Sequence, residues 1–217
     1  MIRGICTVTF PLILLVSLLP GAQTAFACSN GKLLFEDKFQ TLDPAWGIAP
    51  PDSSHSVGAD GLVYNLAPST SFIFLSQTSY YDNYEVCAQF STKFPEKANV
   101  YVGLAFWGSD NSNVYELNVF PDSGNYAVFR SQGNKYLKPV PFTVDPAVVK
   151  DQNGTNELST TVNGNHAVVS INGKKVAEFN GIAPDGGSLV GLNIGAHKDD
   201  TGPSVVTIKD FQVRALP

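Results

Sequence analysis

Charge is scarce in this chain. Only 15% of its 217 residues are Asp, Glu, Lys or Arg, and acidic residues outnumber basic ones 19 to 14. Without a basic cluster there is no electrostatic footprint for nucleic acid or an anionic membrane surface. Histidine is equally sparse. His55, His166 and His197 lie far apart and lack metal-ligand spacing. No Gly-x-Ser-x-Gly elbow is present, and Gly186-Gly187-Ser188 lacks the lysine and spacing of a phosphate loop. The apolar run Phe10–Leu19 is well short of the roughly 20 residues a spanning helix requires. Helical periodicity is nearly missing after Cys28. With 43% apolar residues, the chain is also neither a disordered tail, a coiled coil nor a collagen-like fibre.

The first segment reads as an address. Arg3, the run Phe10–Leu19, the break at Pro20-Gly21 and the small-x-small triplet Ala25-Phe26-Ala27 have the layout of a secretory signal peptide spanning 1–27. A single domain over 28–217, secreted or periplasmic, is the expectation. Lipid anchoring at Cys28 is the rival; the leucine expected three residues earlier is here Ala25. Cys6 leaves with the leader, so Cys28 and Cys87 remain for an oxidising compartment. They suggest a disulfide, with a lipidated Cys28 or two free thiols as alternatives. Closing a loop of ~60 residues stabilises by about 4 kcal/mol on the chain-entropy model.

What fills the rest is alternation. Apolar residues recur at every second position, β-branched and aromatic types abound, and Gly, Asn, Asp or Pro interrupts at short intervals. Twelve strands are expected, the last ones at Ser188–Ala196 and Ser204–Arg214. The class is all-β, an antiparallel sandwich or barrel. A short helical turn is expected after Thr143, with Asp145 as cap and Pro146 at the first helical position. Asn172-Gly173 marks a type I′ hairpin. Asp122-Ser123-Gly124 reads as a three-residue loop, pairing Phe120 with Tyr126, Asn118 with Val128 and Glu116 with Arg130. Pro139–Asn156, poor in strand pattern, is a candidate lid.

In that register one face gathers Tyr101, Trp107, Glu116, Asn118, Tyr126 and Arg130. Rings stack on the apolar face of a pyranose while the acid, amide and guanidinium fix hydroxyls, so carbohydrate is the expected partner. The plainer reading is exposed strand aromatics with a cross-strand ion pair. No cofactor is expected; calcium alone is left open, at Asp110-Asn111-Ser112-Asn113 or Lys198-Asp199-Asp200-Thr201-Gly202, two oxygen-rich loops that lack the EF-hand pattern and read first as solvated turns. Asn153-Gly154-Thr155 is a glycosylation sequon.

Several stretches, in order, carry a resemblance. These are Leu34-Phe35-Glu36-Asp37-Lys38-Phe39 with Trp46-Gly47, then Asn113-Val114-Tyr115-Glu116-Leu117 with Asp122-Ser123-Gly124-Asn125-Tyr126, then Asn156-Glu157-Leu158 followed by Val169-Ser170-Ile171-Asn172-Gly173, and finally Val206-Thr207-Ile208-Lys209-Asp210-Phe211. Together they resemble the concanavalin A-like, laminin-G-like jelly roll, near the bacterial 3-keto-disaccharide hydrolase-like group. The resemblance implies two packed antiparallel sheets, one often concave and used for glycan contact. Some relatives are glycosidases, and family 16 glucanases carry three alternating carboxylates on one strand. Here that strand reads Glu116-Leu117-Asn118-Val119-Phe120. Glu116 matches the first acid, but Asn118 and Phe120 cannot ionise, which removes the acid/base that a retaining mechanism needs. The expectation is a non-catalytic carbohydrate-binding module. The alternatives are a glycoside hydrolase acting on keto-disaccharides, with Glu116 as its nominated acid, and a structural envelope or adhesion protein.

Overall fold

The computed structural model describes Cys28 and residues 31–96, 98–133 and 135–216. The expected signal peptide, 1–27, lies outside the described residues. Fourteen strands follow in order: β1 Leu33–Asp37, β2 His55–Gly58, β3 Gly61–Leu66, β4 Ser71–Leu75, β5 Tyr84–Lys93, β6 Val100–Asp110, β7 Asn113–Phe120, β8 Asn125–Gln132, β9 Lys135–Val144, β10 Thr155–Asn163, β11 His166–Ile171, β12 Lys174–Asn180, β13 Leu189–Ala196 and β14 Ser204–Ala215. Only a 3₁₀ turn at Pro44–Trp46 interrupts them among the described residues. None of their helices is long and apolar enough to cross a membrane.

Eight strands make one sheet, in the order β12-β11-β10-β5-β14-β3-β2 with β1 added on β14. Six make the other, β4-β13-β6-β7-β8-β9. Non-sequential neighbours such as β5 beside β14 and β6 beside β13 are jelly-roll connectivity, and the fold is an antiparallel two-sheet sandwich. Alternation drives the packing: on β10, Leu158, Thr160 and Val162 turn inward while Glu157, Ser159 and Thr161 do not. Phe90, Leu104, Phe106, Leu117, Leu158, Ile171, Leu192, Ile208 and Phe211 are fully buried between the sheets. Each contributes about 2–3 kcal/mol by leaving water. Cys28 and Cys87 are joined, with Cα atoms 6.1 Å apart; the bond ties Cys28 to buried β5.

Asn172 (φ 51°) and Gly173 (φ 75°) form the expected hairpin turn, closing Ile171 onto Lys174. The other hairpin departs from expectation by one residue. Phe120 pairs with Asn125, so the loop holds four residues, 121–124. Pro121 has no N–H to give the ladder, so it belongs to the turn rather than to the strand. The slip places Tyr126 opposite Val119 and Arg130 opposite Tyr115, on the inner side, and Phe129 opposite Glu116, on the outer. Such a shift moves every side chain of β8 to the other face.

The alternation of β6 also breaks. Trp107 takes φ 48°, and the ladders to β7 and β13 both shift register around it. This is bulge behaviour: Phe106 and Trp107 both enter the core. Residues 135–144, which read as strandless or as part of a lid, form edge strand β9. Pro139 and Pro141 are tolerated there because an edge strand needs only half its donors. No helix follows Thr143. Asp145 accepts from the Ala147 N–H at 2.8 Å and closes a turn with Val148.

Candidate functional site

The outer face of the six-stranded sheet carries a cleft, and missing side chains shape its floor. Gly103 on β6 lies between Asn118 on β7 and Asn193 on β13. A Cβ there would collide with the Leu117 carbonyl and the Asn118 amide. The gap lets Asn193 reach across β6. Its Nδ2 donates to Asn118 Oδ1 at 3.0 Å and to Glu116 Oε2 at 2.5 Å. Ser131 Oγ on β8 donates to Glu116 Oε1 at 2.9 Å. One residue pair further along, Gly195 leaves room for the Tyr101 ring, which a Cβ would strike.

Aromatic rings wall this polar floor. Asn99, Tyr101, Glu116, Asn118, Phe120, Phe129, Tyr136, Phe142 and His197 line a cleft of about 350 Å³. Phe142 packs on Phe120 at 5.2 Å and on Phe129 at 5.6 Å, and Tyr101 meets Phe120 at 5.9 Å. Tyr136 stands 74% exposed at the rim. A mostly apolar cleft of this size with a few converging polar groups is the usual form of a small-ligand site.

Burial dominates the electrostatics. Glu116 is 6% exposed. Loss of solvent pushes its carboxyl above the usual range, and hydrogen bonds from Ser131 and Asn118 partly offset this. Burial pushes the Tyr101 phenol up to about 12, against a hydrogen bond with Ser71, and the charge of Glu116 adds to the rise. Tyr101 therefore keeps its proton at neutral pH. Glu116 is the sole carboxylate among the described residues lining the cleft.

Of the six residues expected on one face, the structure brings Tyr101, Glu116 and Asn118 together. The other three lie elsewhere. Trp107 is in the core, 5.0 Å from Tyr115 and 6.0 Å from Phe179, and its Nε1 donates to Gly164 O at 3.2 Å. The bulge put it there. Tyr126 is also buried in the core, its hydroxyl donating to Val176 O at 2.7 Å. Arg130 lies over the Tyr115 ring at 5.3 Å, in a different cleft with Ser109, Asn113 and Gln132. The one-residue slip moved both, and separates Arg130 from Glu116. Asn193, Ser131, Phe129, Tyr136, Phe142, Asn99 and His197 were missed. Only Asn193 left a signal, since Gly191-x-Asn193-x-Gly195 alternates small residues around an amide, a pattern of close approach in strands.

Among the described residues no three His, Cys, Asp or Glu side chains converge as a metal group would require. Asp110 accepts from Ser112 N at 2.7 Å and from Asn113 Nδ2 at 2.9 and 3.1 Å, closing its own turn.

Three solved structures show how widely this architecture is shared. The carbohydrate binding module CBM66 from Bacillus subtilis superposes with a TM-score of 0.58 at 12% identity, covering 87% of this chain and 99% of that one. A protein of unknown function with a galectin-like fold from Bacillus subtilis gives 0.60 at 15%, covering 85% and 96%. A Bacteroides ovatus mixed-linkage glucan GH16 protein, solved with a G4G4G3G product, gives 0.61 at 13%, covering 83% and 100%. At such identities the likeness is one of fold. No curated protein matches by sequence. The model of the 3-keto-alpha-glucoside-1,2-lyase-like domain, however, matches residues 29–210, and with nearly every strand of the sandwich inside that span the chain belongs to this family.

Proposed function

We propose that the domain binds carbohydrate in the cleft of the six-stranded sheet. The observation that carries this reading is a buried acid, Glu116, held by Ser131 and Asn193 at the floor of a pocket walled by Tyr101, Phe129, Tyr136 and Phe142. An acceptor-rich floor orients sugar hydroxyls, and ring walls cover the C–H face of a pyranose. Carbohydrate-binding and glycoside-processing proteins share the fold, which is consistent with the reading. An intrachain disulfide fits an exported protein.

A second reading is favoured by the solitary Glu116. Glycoside hydrolysis uses a pair of carboxylates, whereas the 1,2-elimination named in the family description needs one base. A ketone at C3 acidifies the C2 hydrogen. Glu116 takes that proton, the C–H electron pair becomes the C1=C2 bond, and the C1–O bond breaks. The departing alkoxide takes a proton from solvent or from the Tyr101 hydroxyl. A carboxyl lifted by burial is closer to the operating pH, as general-base work prefers.

Calorimetric titration with α- and β-linked glucosides and their 3-keto forms, followed by product analysis of the same mixtures, tests both readings. Binding lost in Glu116→Gln and weakened in Tyr136→Ala supports the cleft. An unsaturated 3-keto product formed by the wild type and absent with Glu116→Gln supports elimination. Binding that is indifferent to both substitutions overturns the cleft assignment.

A further inference from the structure

One end of the sandwich collects buried oxygens without partners. Thr92 Oγ1, Asp122 Oδ1, Asp200 Oδ2 and Ser204 Oγ all lack a hydrogen bond. Thr92 and Ser204 lie on the inner face where β5 ends and β14 begins, two residues apart across the ladder. Asp200 belongs to the loop entering β14, and its other oxygen accepts from Asn99 N at 2.8 Å, just ahead of β6. Asp122 sits in the β7–β8 turn at the same end, in a cavity of about 260 Å³ with Asn99, Ser123 and Asn125.

Asp200 is only 9% exposed. A buried oxygen with no partner is costly until something supplies one. Asn99 links the two acids in space: its N–H donates to Asp200, and the residue lines the cavity that holds Asp122. Burial pushes the Asp122 carboxyl up, against backbone hydrogen bonds, with a smaller rise from the Asp200 charge. Lys150 is exposed, with its stem on Gly124, and makes no ion pair among the described residues. The imidazole at this end, His197, is engaged by Asp199 at 3.3 Å and lines the neighbouring sugar cleft, and the unpartnered atoms are all oxygens. Oxygen-only donors of mixed charge in irregular loops suit a hard cation with loose geometry, which favours calcium over magnesium or zinc.

We propose that Asp122 and Asp200 hold a calcium ion between the β7–β8 turn and the loop that enters β14. Neutral oxygens of the same end and water complete the shell. The ion would brace one rim of the sugar cleft, because Asn99 and Phe120 border both cavities. That consequence rests on the cleft reading; calcium binding itself is measured without any sugar.

The full chain, stripped with chelator, is titrated calorimetrically with calcium or magnesium, and its thermal midpoint is followed in calcium or EDTA. One saturable calcium site is expected, with weaker magnesium binding. Calcium at ~100 times Kd should raise the midpoint by roughly 5–10 °C. Asp200→Asn and Asp122→Asn should each weaken calcium at least about tenfold and abolish the rise. The wild-type titration stands alone if a variant fails to fold. No calcium heat up to ~10 mM, well past the range of extracellular modules, overturns the proposal. So does a midpoint rise kept in both variants. A wild type indifferent to calcium, with both variants stabilised, also overturns it and indicates a shared proton instead.

Discussion

Asn193→Ala isolates the support beneath Glu116. The substitution deletes a charge-assisted bond to Glu116 Oε2 (2.5 Å) and a neutral bond to Asn118 Oδ1 (3.0 Å). The first kind contributes about 1.5–3 kcal/mol and the second about 0.5–1.5. Because the cleft is open, water recovers part of the loss, and the expected destabilisation at pH 7 is about 1–3 kcal/mol. Its pH dependence is the sharper signature. Burial has already raised the Glu116 carboxyl in the folded protein, so ionising it opposes folding. Wild-type stability from this group is fully present below the ordinary carboxylate value and is lost as pH rises through the folded one. Removing a donor raises the folded value again, so the variant loses more over the same interval. The gap between the two proteins should therefore be widest at neutral pH and narrow as Glu116 is protonated. Urea unfolding of both at pH 7 and pH 4 measures it. A deficit below ~0.5 kcal/mol at pH 7, or one equal at both pH values, would refute the reasoning.

Tyr136→Ala should weaken sugar binding about tenfold while changing stability by less than ~0.5 kcal/mol, because the ring is a rim group; parallel calorimetry and unfolding check both halves. Trp107→Ala should cost about 3–5 kcal/mol by emptying the core between Phe106, Tyr115 and Phe179, and sugar affinity of the protein that still folds should be unchanged. Gly195→Ala should push the Tyr101 ring into the cleft; a fall in affinity larger than any fall in stability, read by the same two assays, is the expected result. Cys28→Ser should lower stability by about 4 kcal/mol, since the bond spans 59 positions, and dithiothreitol should do the same to the wild type in a thermal scan.

Reading the sequence recovered most strands because their cause is local. Val, Ile, Phe and Tyr at every second position suit a half-buried pleated surface, and Asn172-Gly173 accepts the positive φ of its turn without help from elsewhere. The misses share a different cause. β9 was overlooked because Pro139 and Pro141 speak against strands except at an edge, and edge position is a property of the assembled sheet. The slip of β8 turned on whether Pro121 joined strand or turn, a choice the facing core decides. The Trp107 bulge depends on both neighbouring ladders at once.

The candidate site shows the same division more sharply. Alternation alone placed Tyr101, Glu116 and Asn118 on one face, because they lie on the unbroken stretches of β6 and β7. It could not place Asn193, 77 positions from Glu116, nor the β9 rings that wall the cleft. Composition and periodicity determined that two antiparallel sheets would form and which short stretches would build them. Which side chains meet across those sheets was decided only by tertiary structure. A one-residue change in pairing costs little locally, yet it exchanges the two faces of a strand, and only the packed core chooses between them.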